Sequence, residues 1–121
     1  MNKLELVGRL ADTTYNPGCK SGTYSLKPSM HGNTLVVKFS TIVNFASETS
    51  LRPQVASAKE HAVQLIKEYL STLKKSYKEA SGEALSVDDK GGDDNVEVIQ
   101  STSNSLRKVA YYRYNQVLEI K

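Results

Sequence analysis

From Val55 to Ala80, apolar side chains return every third or fourth position: Val55, Ala58, Ala62, Ile66, Tyr69, Leu73, Tyr77 and Ala80. That is the spacing of one face of an α-helix, and Val63, Leu65 and Leu70 widen the stripe. Ser47-Glu48-Thr49-Ser50 supplies capping chemistry ahead of it, Pro53 is expected to fall in the first turn, and Gly82 is placed to end it. A helical segment is therefore expected over 50–81. About 28 striped residues at 1.5 Å each span roughly 42 Å. That is longer than a domain of 121 residues is wide. Such a helix bends, breaks, or lies across a second subunit, with Ala62, Ile66, Tyr69, Leu73 and Tyr77 as its burying face.

The rest of the chain has the period of strands. Over 34–45, Leu35, Val37, Phe39, Thr41, Val43 and Phe45 alternate with Val36, Lys38, Ser40, Ile42 and Asn44. Period-two alternation puts a greasy side on a core and leaves a more polar side carrying a lysine. Residues 3–29 read as a hairpin, with Leu4, Val7 and Leu10 before the turn signals Asn16-Pro17-Gly18 and Ser21-Gly22, and Thr23–Leu26 after them. His31-Gly32-Asn33 is a second turn. Over 95–120 a strand pair is expected, its second member holding Tyr111, Tyr112 and Tyr114. Strands, a helix, then strands give an α+β fold: an N-terminal hairpin and antiparallel sheet with one long helical segment on one face. At 121 residues the chain has room for one such domain and one core. A hydrophobic content of 39% with no Trp makes that core modest, so burial against a partner copy is expected.

Charge is unevenly spread. Residues 83–94 hold Glu83, Asp88, Asp89, Asp93 and Asp94 against Lys90, a local −4 that leaves +7 for the remainder of a chain totalling +3. The expectation is a basic body with one acidic, solvated loop. A calcium loop starting at Asp88 needs Gly at its sixth position and Glu at its twelfth, and these hold Asp93 and Ile99.

No constellation for catalysis stands out. His31 and His61 belong to no recognisable motif, Gly91-Gly92 is flanked by acids that repel phosphate, and Cys19 is a lone cysteine with no metal-ligand companion. No metal, no cofactor and no enzymatic activity are expected. No segment has the form of a signal peptide or a membrane helix, and synthesis in a reducing cytoplasm is expected. Basic and aromatic residues are more suggestive: Arg107, Lys108 and Arg113 lie among three tyrosines, and Lys38 and Ser40 share the polar face of the other long strand. Cations neutralise phosphates and tyrosine rings stack on unpaired bases, so a sheet bearing both is an RNA platform.

The run Val96-Glu97-Val98-Ile99-Gln100-Ser101-Thr102-Ser103-Asn104-Ser105-Leu106-Arg107-Lys108, leading into a long strand, resembles the central strand pair of coat proteins of single-stranded RNA bacteriophages, the leviviruses. Val36–Ser50 resembles that family's last strand running into its helical segment, and Lys3–Pro28 its opening hairpin. In the family the strand pair precedes the last strand and helices; here it follows them, as in a circular permutation with the acidic loop as the joint. The resemblance implies an intertwined homodimer that builds an icosahedral shell, packs its helices over the partner outside and binds genomic single-stranded RNA on the inner sheet face. It implies residence in the virion after assembly in the host cytoplasm, with no membrane partner. It places Lys38, Ser40, Glu97, Ser101, Arg107 and Lys108 at the RNA, and alternation adds Tyr111 and Arg113. A free nucleic-acid-binding regulator using the same basic sheet is the alternative.

Overall fold

The computed structural model describes residues 2–14, 24–100 and 108–121. Its elements run α1 (Lys3–Thr14), β1 (Tyr24–His31), β2 (Thr34–Phe45), α2 (Glu48–Ser81), β3 (Val87–Gln100) and β4 (Lys108–Ile120). The four strands form one antiparallel sheet in the order β1-β2-β4-β3. Both helices lie on one side of it, giving the two layers of an α+β fold.

Local chemistry explains the elements. Ser50 Oγ accepts the Ser47 backbone N–H at 3.0 Å, so the serine cluster caps α2. At the other end Gly82 takes φ 76° and its N–H closes on Lys78 O at 2.8 Å. The helix starts at Glu48, so Pro53 lies in the second turn rather than the first. At 34 residues it spans about 51 Å, and its stripe lands as spacing predicts: Ala62, Ile66, Tyr69, Leu73 and Tyr77 are all buried. They are buried by the chain's own sheet and by α1. A partner is therefore not needed to cover them, and the intertwining implied by the resemblance is not among the features of the single chain.

Two expected elements differ. The opening segment is not the first arm of a hairpin. Residues 3–14 form a helix, because Val7 and Ala11 sit four apart and bury together while Leu6 and Leu10 flank them. Asn2 and Glu5 cap it reciprocally: Asn2 Oδ1 accepts the Glu5 N–H at 2.8 Å, and Glu5 Oε1 accepts from Asn2 Nδ2 at 2.9 Å. The hairpin instead joins β1 to β2 through Gly32-Asn33, with Gly32 at φ 61°. The turn signals at 16–18 and 21–22, like Cys19, lie outside the described residues.

The acidic stretch is the second difference. Residues 87–94 are not a loop but the first half of β3, an edge strand paired with β4. A register shift between Asp89 and Gly92 marks a bulge there. Charged residues and bulges are what an exposed sheet edge tolerates best.

The sheet's other edge, β1, is interrupted at one position. His31 and Thr34 flank a two-residue turn, and counting back from that hydrogen-bonded pair aims residue 28 away from β2. Pro28 has no N–H to offer there, and α1 lies beside it.

Candidate nucleic-acid interface

Alternation sorts every strand residue onto one of two faces. The helix-side face of β2 and β4 carries Leu35, Val37, Phe39, Val43, Phe45, Ala110, Tyr112, Tyr114, Leu118 and Ile120, all buried. The opposite face is left open by both helices, and its residues fall into rows given by the strand register. One row reads Lys27, Lys38, Asn115, Asp93 from β1 to β3. The next reads Ser25, Ser40, Arg113, Asn95, and the one after that Ile42, Tyr111, Glu97.

Lys38, Ser40, Glu97, Tyr111 and Arg113 are thus brought to one face, in three adjacent rows. Lys108 is not with them. It opposes Phe45 and Gln100, shares the parity of Ala110 and Tyr112, and lines a cleft with Phe45, Leu51 and Val98 on the helix side. A regular strand cannot present residues 108 and 111 to the same side. Ser101 and Arg107 lie outside the described residues.

Lys27 belongs to the open face although the sequence pattern alone does not single it out. It sits directly across from Lys38, both are exposed, and neither has an ion-pair partner among the described residues. Like charges directly opposed on neighbouring strands oppose pairing by about 0.2–1 kcal/mol. An anion between them would turn that cost into attraction. The signal in the sequence is register: Lys27 stands four residues before His31 and Lys38 four beyond Thr34, so the Gly32-Asn33 turn sets them opposite one another.

The three tyrosines divide. Tyr112 and Tyr114 are buried on the helix side, where Tyr112 donates to Asp94 Oδ2 at 3.1 Å and Tyr114 to Gln116 Oε1 at 3.0 Å. Burial, and then the neighbouring aspartates, push both phenols above their ordinary range. Tyr111 faces out beside Ile42, which is 49% exposed, and the Arg113 guanidinium lies over its ring at 4.6 Å. Arg113 Nη2 also reaches Glu97 Oε2 at 3.7 Å. The β3 end of the open face is acidic: Asp88 accepts from Lys90 Nζ at 3.0 Å, which also lies 3.8 Å from Glu119. The hydrogen bond from Lys90 holds the Asp88 carboxyl below its usual value, helped by the charge of Lys121. The face therefore runs from basic at β1 and β2 to acidic at β3.

The histidines serve packing and local contacts. His61 meets Tyr24 and Phe39 edge-on, at 5.2 and 5.8 Å. His31 Nε2 lies 3.1 Å from Ser29 Oγ, an exposed pair with no carboxylate behind the imidazole among the described residues. No group of His, Cys, Asp and Glu among the described residues is gathered to hold a metal ion. Nor is any helix among them long and apolar enough to cross a membrane.

What the fold and this face define is a class: a two-layer α+β domain with one sheet surface left open and electrically polarised. Compared with known proteins, the chain matches no family model, no curated protein and no solved structure.

Proposed function

We propose that the protein is a non-enzymatic coat protein that associates with itself, assembles into an icosahedral shell and carries genomic single-stranded RNA on its open sheet face. In this reading it resides in the virion and is assembled in the host cytoplasm. One observation carries the RNA half of the reading. An uncovered sheet face holds Lys27 directly opposite Lys38 with no counter-ion among the described residues, and the next two rows hold a cation–aromatic pair of Arg113 and Tyr111. The lysines suit phosphates, and Tyr111 with Ile42 suits the flat faces of unpaired bases.

Self-association is supported by β3. Its helix-side Val96 and Val98 are 38% and 50% exposed, Ile99 on the other side is 43% exposed, and no described strand pairs with its outer edge. Beside Val98 opens the cleft lined by Phe45, Leu51 and Lys108. The chain thus leaves bare the part of its sheet that a second copy would cover. The sequence resemblance to leviviral coat proteins supports the step from pair to shell.

Purified full-length protein viewed by negative-stain microscopy tests the whole reading. Closed particles containing nuclease-protected RNA are expected. A soluble dimer that binds RNA without forming particles would select the regulator instead, and a monomer without affinity for RNA would remove both. Lys27→Gln with Lys38→Gln is expected to lower the affinity for a short oligouridylate. The slope of log affinity against log salt should fall by about 1 for each phosphate that the variant no longer neutralises. An unchanged slope would remove the lysines from the interface.

A further inference from the structure

Glu97 is the odd residue on a face read as a polyanion platform. Its strand register sets it directly across from Tyr111, and Arg113 stands one row along the same strand. The carboxylate lies 3.7 Å from the guanidinium, which at the same time covers the Tyr111 ring at 4.6 Å. Both partners of this ion pair are more than half exposed, at 56% and 65%. A pair so wet contributes little to folding and is readily exchanged for another anion.

We infer that Glu97 is an internal competitor for the nucleic acid: it occupies Arg113 in the free protein and so holds the guanidinium as a lid on the Tyr111 ring. The inference rests on the proposed RNA reading and assigns a positioning role within it. A phosphate that takes Arg113 from Glu97 draws the guanidinium off the ring and opens Tyr111 to stacking. Two separate contacts, one to backbone and one to base, are thereby coupled. The coupling suits a strand whose bases are unpaired, since bases held in a duplex cannot reach the uncovered ring. Across the sheet the basic residues Lys27 and Lys38 lie on β1 and β2, whereas Asp93 on β3 repels phosphate. The backbone is thus steered to one side of the tyrosine, with its bases pointing across it.

The test is a double-mutant cycle on the full chain, with binding of a short fluorescent oligouridylate read by anisotropy. Glu97→Gln is expected to tighten binding by about two- to five-fold, the range of an exposed ion pair. Arg113→Gln is expected to weaken binding, and in that background Glu97→Gln is expected to change nothing. An equal gain from Glu97→Gln with and without Arg113 would show general repulsion and overturn the lid. A loss of affinity in Glu97→Gln would make the carboxylate a ligand contact and overturn it too. Thermal unfolding of Glu97→Gln should match the parent, which separates these outcomes from misfolding. Absence of binding by the parent and every variant would sink the RNA reading itself, and this inference with it. Binding by the parent without the predicted gain would sink the inference alone.

Discussion

Tyr69 shows how much one side chain can decide. It lies on the buried stripe of α2, and its hydroxyl donates to Ala11 O at 2.8 Å, joining α2 to the end of α1. Burial raises its phenol well above the ordinary value, with the charge of Asp12 adding to the shift. Tyr69→Phe removes this donor to the Ala11 carbonyl, an expected loss of about 1 kcal/mol by chemical denaturation. The raised phenol also has a pH signature. The folded state keeps the proton while the unfolded chain releases it above about pH 10. Stability is therefore intact below about pH 10 and lost as pH rises beyond it, and Tyr69→Phe should flatten that alkaline fall. An unchanged alkaline profile would place the titration elsewhere, with Tyr112 next to examine because its phenol is shifted the same way. At this scale much is legible in the sequence. The period of the helix names the five residues that α2 buries, and the period of the strand puts Tyr111 and Arg113 outward with Lys38 and Ser40. Lys108 is misplaced by the family resemblance, against a parity that separates it from Tyr111.

Among the elements, β2 and α2 follow from their own patterns, whereas α1 and β3 need more than pattern. Leu4, Val7 and Leu10 recur every third residue, a helical interval, and Asn2 with Glu5 is a reciprocal cap. Both signals stand in the sequence and prevail over the turn residues that follow, which by themselves suggest the bend of a hairpin. For β3 the local sequence points the wrong way. Five acids in a short span read as solvated loop, and only the pairing with β4 makes the segment a strand. That pairing meets a tight spot at Gly92, where an added Cβ would come within 2.6 Å of Tyr114 Cζ and 3.0 Å of Asn115 O. Gly92→Ala should therefore destabilise the protein by about 1–3 kcal/mol, the range for an overpacked site. Hydrogen exchange should show the loss concentrated in β3 and the facing part of β4. Uniform loss across the sheet would mean that the bulge is not a local hinge point but part of the global core.

On the scale of the whole molecule, the asymmetry of cover matters most. The helices roof β1, β2 and part of β4, and β3 extends beyond them with Val96 and Val98 bare. Val96→Lys with Val98→Lys should leave secondary structure intact, because neither side chain is buried in the single chain, and on the proposed pairing through β3 it should sediment as a smaller species than the parent. Retained association in this variant would move the interface away from β3. The face opposite the helices is polarised from β1 to β3, and no local sequence window contains that gradient. It arises when strands distant in the chain are laid side by side, as Lys27 is with Lys38 and Tyr111 with Glu97.

Pro28 bears on how such a molecule can grow. A ribbon with two receptive margins adds copies without end, and fibres are the outcome. With an imino acid interrupting the β1 margin, docking at the β3 margin uses up the vacancy left among the described strands. Growth by that route stops at two, and anything larger must be built from couples meeting through other surfaces.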